Sequence, residues 1–182
     1  MHERLLIAGS GGQGVIVLGK LLAAAAVNHV PHVTFFPSYG VEVRGGTSNC
    51  QVVLSSREIA SPVSEQFDSV IILNRASAEK FLPQLDPDGL AVVNLQGDDP
   101  DSPGALTIRA TEMANELGNV RAANFILLGV YLARKPLVPL DDVEAGMRNI
   151  FAHKNPKVLA LNIQALHTGL SYASEGKSGP AR

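Results

Sequence analysis

Arg4-Leu5-Leu6-Ile7-Ala8-Gly9-Ser10-Gly11-Gly12-Gln13-Gly14, followed at once by Val15-Ile16-Val17-Leu18-Gly19-Lys20-Leu21-Leu22-Ala23-Ala24-Ala25-Ala26, is the stretch from which the fold is read. A short apolar run, a loop with four glycines and a long Ala/Leu-rich segment predict strand, tight turn and helix. Glycine permits positive φ and close backbone approach, and a helix start leaves amide donors free. Such a turn can hold an anion or a polar ligand. The loop alone does not say whether it does.

The 182 residues suffice for one domain with a real core. A hydrophobic fraction of 46% with only 18% charged residues leaves a sparse charged surface, part of which another protein is expected to cover. The formal net charge of -2 gives no electrostatic case for nucleic-acid binding. A single cysteine, Cys50, excludes an intrachain disulfide and cannot supply the thiolates of an iron–sulfur cluster. Met1-His2-Glu3-Arg4 leads directly into the first strand, and no apolar run reaches the roughly 18–20 residues of a membrane span. The expected compartment is the cytoplasm.

Outward from the opening stretch, residues 5–8 are expected as a buried central strand and 15–28 as its crossover helix, with Gly19 a close contact point. A second strand is expected over 32–36. A dinucleotide site places an acid near the end of that strand, but here the first acid after the glycine loop is Glu42, which argues against NAD.

Pro37-Ser38-Tyr39-Gly40-Val41-Glu42-Val43-Arg44-Gly45-Gly46-Thr47-Ser48-Asn49-Cys50 is the second unusual stretch. It gathers an aromatic hydroxyl, a carboxylate, a guanidinium and paired glycines. Arg44 is its natural anion reader, since the planar fork binds a carboxylate or phosphate bidentately. A Glu42/Arg44 ion pair within the loop, an edge buried by a partner, a ligand contact and direct catalysis all remain open on these residues.

Further strands are expected at 49–54, 69–73, 90–94 and 106–108, with a turn from Pro83 to Gly89. Cys50, Val52 and Leu54 share a strand face, so Cys50 reads as a packed small hydrophobe. Helices are expected at 75–82, 111–117, 122–132, 140–151 and 156–169. Asn124 lies in the most apolar helix, where a buried amide needs a partner, expected as a bond to the loop beside the second unusual stretch. Asp98, Asp99 and Asp101 read as a solvated acidic turn, and no histidine or cysteine spacing suggests a metal site. The fold class is α/β: one three-layer Rossmann-like domain over 1–172 with a mostly parallel sheet, an antiparallel edge strand and a helical C-terminal part. Residues 173–182 are expected to be a disordered tail.

Taken together, Gly9 to Val15 and Phe36 to Cys50, with Ser61-Pro62, Asn124 and Lys154-Asn155-Pro156, resemble the gamma subunit of the 2-oxoacid:ferredoxin (2-oxoacid:acceptor) oxidoreductases. The resemblance runs from Leu5 to about residue 170. It implies a subunit of an enzyme that decarboxylates a 2-oxoacid oxidatively with coenzyme A as cosubstrate and ferredoxin as electron acceptor. No cofactor is expected on this chain alone: thiamine diphosphate, Mg and iron–sulfur clusters belong to partner alpha and beta subunits and a ferredoxin-like delta subunit.

On this reading Gly11, Gly12, Gln13, Gly14, Tyr39, Glu42, Arg44, Gly45, Gly46, Thr47 and Asn49 form a surface for substrate, coenzyme A or a partner. No catalytic residue is assigned. The resemblance is strongest to the 2-oxoglutarate type, with an indolepyruvate, arylpyruvate or pyruvate enzyme as the alternative. A stand-alone nucleotide-binding or regulatory module using the glycine loop is the rival.

Overall fold

The computed structural model describes residues 1–39, 47–96 and 104–174. Six strands form one sheet: β1 (His2–Ser10), β2 (His32–Tyr39), β3 (Thr47–Ser55), β4 (Phe67–Ile72), β5 (Leu85–Asn94) and β6 (Leu106–Ile108). The helices are α1 (Val15–Ala26), α2 (Arg75–Phe81), α3 (Ala110–Glu116), α4 (Ala123–Arg134), α5 (Leu140–Ile150) and α6 (Pro156–Ser174). The expected acidic turn at Asp98, Asp99 and Asp101 and the tail from 175 onward lie outside the described residues.

The opening apolar run becomes the centre of the sheet. Leu5 and Ile7 point into a large core built with α1, α4 and their neighbours, while Leu6 and Ala8 point into a smaller core under α2. All four are at most 1% exposed, which explains why the run does not alternate with polar residues. Cys50, Val52 and Leu54 share the large core, as their period of two requires.

The strand order is β2-β3-β1-β4-β5-β6. β1, β4, β5 and β6 pair in parallel, whereas β3 runs antiparallel to both β1 and β2. The antiparallel strand is therefore interior, not at the edge as expected. β2 and β3 form an antiparallel pair, and β1 takes up the far side of β3, from His2 opposite Ser55 to Ser10 opposite Thr47.

The turn expected from Pro83 to Gly89 is also revised. β5 begins at Leu85, opposite Phe67, but the next aligned pair is Ser69 with Leu90, so residues 86–89 bulge out against Asp68 alone. The bulge is fastened by Arg4. Its Nε donates to Asp68 Oδ2 at 2.9 Å, and its Nη2 donates to Asp68 Oδ1 at 2.8 Å and to Asp86 Oδ2. The Arg4 hydrogen bonds hold the Asp68 carboxyl down to about 2 against some opposing desolvation.

Behind the sheet, α6 packs on α4 and α5 on α1. The α4–α6 crossing is a backbone contact. A Cβ on Gly129 would overlap the Leu166 carbonyl oxygen and stand 2.9 Å from Leu170 N, and one on Gly169 would overlap the Ile126 carbonyl. The far end of α4 is tied to the sheet by buried Glu3, which accepts from Ser69 Oγ at 2.6 Å, from Tyr131 Oη at 3.3 Å and from Lys135 Nζ at 2.8 Å. Burial, then the Glu3 charge, pushes the Tyr131 hydroxyl well above its ordinary pKa, so it remains a proton donor here.

Gly129→Ala is expected to lower unfolding free energy by about 2–3 kcal/mol in urea denaturation, because backbone must give way. Gly11→Ala, with nothing within 4 Å of the added carbon, is expected to change it by less than about 0.5 kcal/mol. Asp68→Asn tests the bulge clasp. A carboxyl lowered from 3.8 to about 2 stabilises the fold above its unfolded value and loses that contribution as pH falls through the folded one. The variant should be less stable by about 1–2 kcal/mol at neutral pH, and the gap should close between about pH 4 and pH 2.

Candidate functional site

The glycine loop leaves β1 at Ser10 and enters α1 through Gly14, whose φ of +81° suits glycine alone. The first helical hydrogen bond runs from Leu18 N to Gly14 O, so the amides of the preceding turn are outside the helical ladder. No acidic residue stands in that turn to neutralise the helix start. Gly11 and Gly12 are exposed.

Gln13 makes its hydrogen bonds within the fold. Its Oε1 accepts from Ser10 N at 2.7 Å and Asn74 Nδ2 at 2.8 Å, and its Nε2 donates to the Leu73 carbonyl at 3.3 Å. The side chain laces the loop to the end of β4. Asn74 completes the link by donating to Ser10 Oγ at 2.9 Å and capping α2 through Ser77 N.

Beside this loop lies a chamber of about 220 Å³ at the carboxyl ends of β1, β4 and β5, lined by Gly12, Gln13, Leu73, Asn94 and Gln96 on one side. Thr111 of α3 and Val120, Arg121, Ala123, Asn124 and Leu127 at the start of α4 complete it. Sequence reasoning missed most of this wall. Asn94 is 2% exposed; its Nδ2 donates to the Leu73 carbonyl at 3.1 Å and to Thr111 Oγ1 at 2.8 Å, while its Oδ1 accepts from Thr111 N at 3.2 Å. The signal that finds it is positional: the chamber sits where α1 carries the chain one way across the sheet and later strands go the other way. Arg121 is the one charged lining residue among the described residues, so together with the open helix start the site favours an anionic group at its mouth.

The second unusual stretch emerges at the same end of the sheet. Ser10 pairs with Thr47, Ala8 with Asn49, and Tyr39 with Ser48, so the described ends of that stretch flank the start of the glycine loop. Thr47 Oγ1 lies 3.4 Å from Lys80 Nζ. Glu42, Arg44, Gly45 and Gly46 lie outside the described residues, as does the Tyr39 side chain. Among the described residues Asn124 makes no hydrogen bond to that stretch, whose residues 40–46 lie outside them. Its amide nitrogen instead occupies the space a Cβ on Gly14 would take, and its Oδ1 has no hydrogen-bond partner among the described residues.

Cys50 is fully buried behind α1, its Sγ 3.5 Å from Val15 O and crowding the position a Cβ on Gly19 would need. Burial pushes its thiol up to about 12, so it is neither thiolate ligand nor nucleophile. Among the described residues no group of three or more His, Cys, Asp or Glu is placed to hold a metal ion.

Residues 4–172 match the family described as pyruvate ferredoxin/flavodoxin oxidoreductase. The chain belongs to that family. Among family relatives, the ketoisovalerate oxidoreductase subunit VorA of Methanothermobacter thermautotrophicus is 34% identical over 97% of this chain, which spans 37% of that protein's length. The 2-oxoglutarate synthase subunit KorC of Archaeoglobus fulgidus is 34% identical over 86% of this chain and 83% of its own. The fold also superposes on a 2-oxoglutarate:ferredoxin oxidoreductase from Magnetococcus marinus, solved with 2-oxoglutarate, coenzyme A and succinyl-CoA bound. That match has a TM-score of 0.86 at 24% identity, covering 98% of this chain and 32% of that one. Among the described residues no helix is long and apolar enough to cross a membrane.

The Gly14–Asn124 contact is testable by a double-mutant cycle. Gly14→Ala should cost about 2 kcal/mol or more, from positive φ and from overlap with the Asn124 amide. Combining it with Asn124→Ala should recover at least about 1 kcal/mol in thermal or urea unfolding; simple additivity of the two single effects would separate the sites.

Proposed function

We propose that this chain is the gamma component of a cytoplasmic 2-oxoacid:ferredoxin oxidoreductase that converts 2-oxoglutarate and coenzyme A to succinyl-CoA and carbon dioxide, with the electron pair passing to ferredoxin. Alpha and beta subunits, with a ferredoxin-like delta subunit, carry thiamine diphosphate, Mg and the clusters. Thiamine diphosphate supplies the carbanion-stabilising chemistry of decarboxylation from the partner's side. This chain contributes a binding wall, and alone it is inactive.

The observation that carries this reading is the chamber at the strand ends, where a free helix start and Arg121 offer anion recognition beside a loop held rigid by Gln13. Coenzyme A has phosphates for that mouth and a thiol that must extend to a partner's active centre. The roles read from the sequence for Tyr39, Glu42, Arg44, Thr47 and Asn49, contact with substrate, coenzyme A or a partner, belong to this proposal. The 2-oxoglutarate assignment is supported by the KorC relative, which is of similar length and matches along most of it. A branched-chain 2-oxoacid is the second reading, favoured by the VorA relative, matched at equal identity over more of this chain.

Anaerobic purification of the native complex through this chain, followed by coenzyme-A-dependent ferredoxin reduction with 2-oxoglutarate, 2-oxoisovalerate, pyruvate and indolepyruvate, is the deciding experiment. Thiamine- and cluster-binding partners should co-purify, and 2-oxoglutarate should give the highest kcat/KM. Recovery of the chain alone with bound nucleotide would instead favour a free-standing nucleotide module. In the complex, Arg121→Glu should raise the KM for coenzyme A by about tenfold or more while leaving the KM for the oxoacid in place. Arg44→Glu should weaken assembly or acyl-CoA formation.

A further inference from the structure

Asn124 is a buried polar side chain whose amide oxygen goes unused among the described residues. It stands on the first turn of α4 at 4% exposure, lines the chamber, and leaves Oδ1 without a partner among the described residues. Its neighbours Ala123, Phe125, Ile126 and Leu127 are buried and apolar, so an aliphatic residue would suit the helix better. Leaving a buried amide unsatisfied is destabilising, whereas an apolar group of the same shape is neutral or better. The contrast with the surrounding amides is sharp: those of Gln13, Asn74 and Asn94 are all consumed in bonds that hold the walls together.

The chamber also limits what can fill it. At about 220 Å³ it is smaller than a site for a whole drug-sized ligand, so it takes one limb of an extended molecule. None of its lining residues among the described ones is aromatic, so these offer no stacking platform for a base. Among the described residues it offers neutral amides and a hydroxyl along its walls and one cation, Arg121.

We propose that Asn124 is the recognition residue of this chamber and hydrogen-bonds an amide or hydroxyl of an aliphatic, amide-bearing limb whose anionic end meets Arg121 and the start of α1. This rests on the coenzyme A reading above and deepens it: the phosphopantetheine arm occupies the chamber, and the adenosine end lies outside it. Unlike the bound amides around it, Asn124 is then satisfied only when the ligand is present.

The test uses the assembled native complex, titrated with coenzyme A, 4′-phosphopantetheine and adenosine 3′,5′-bisphosphate, in wild type and Asn124→Leu. The variant should weaken coenzyme A and 4′-phosphopantetheine about tenfold each, the worth of one buried hydrogen bond, and leave the bisphosphate unchanged. Its unliganded melting temperature should equal or exceed that of wild type, which a structural hydrogen bond would not allow. Asn124→Ala, which fits wherever asparagine does, repeats the titrations should the leucine fail to assemble. Unchanged coenzyme A affinity, equal weakening of the bisphosphate, or a lowered unliganded melting temperature in Asn124→Leu would each overturn the role of Asn124 while leaving coenzyme A binding intact. Hydrogen exchange separates the deeper failure: if coenzyme A protects neither residues 10–15 nor the start of α4 in wild type, the coenzyme A reading and this inference fall together.

Discussion

The double-sided burial of β1 is the constraint from which the molecule follows. Leu5, Leu6, Ile7 and Ala8 lose all contact with water, so both faces of the strand need cover. At about 25 cal/mol per Å² of apolar surface, leaving either face bare would forfeit several kcal/mol on these side chains alone. The chain meets this by sending α1 back over one face and α2 over the other. The glycine loop is thus required by architecture before any ligand is considered, and its open amides are a by-product that a binding site can adopt.

What the site adds is a division between amides that build and one that waits. The Leu73 carbonyl accepts from both Gln13 and Asn94, tying the first loop and the end of β5 to the tip of β4. Asn74 and Thr111 extend the same lattice to α2 and α3. Such a network is stiff because every member is paired, and its stiffness fixes the shape presented to an occupant.

Much of the fold was legible because buried strands and the Ala-rich helix carry strong local patterns. Residues 5–8, 69–73 and 90–94 announce themselves as short apolar runs, and Cys50, Val52 and Leu54 keep a period of two. The placement of β3 was not legible, since hydrophobic periodicity carries no strand direction. The start of β5 was hidden by Asp86, Pro87, Asp88 and Gly89, which read as a turn but form a bulge held by Arg4. Within the site, the glycine loop was visible as a motif. Asn94, Gln96 and Thr111 were not, because polar residues after an apolar run look like ordinary loop until topology gathers them. Asn124 could be noticed singly, as an amide amid apolar neighbours, but its place beside Gly14 came only from the crossing of α4 over the sheet.

The glycine-mediated crossing of α4 and α6 bears on how this chamber meets an occupant. Where backbones touch directly, no layer of side chains can shear or repack, and Glu3 holds the other end of α4 to the base of β1. The wall bearing Asn124 is therefore a fixed jaw. The opposite wall is held as firmly by the paired amides of Gln13, Asn74 and Asn94, so an occupant meets two stiff sides and supplies the adjustment itself. A limb already held in the matching shape would therefore bind more tightly than a flexible one without a single new contact atom.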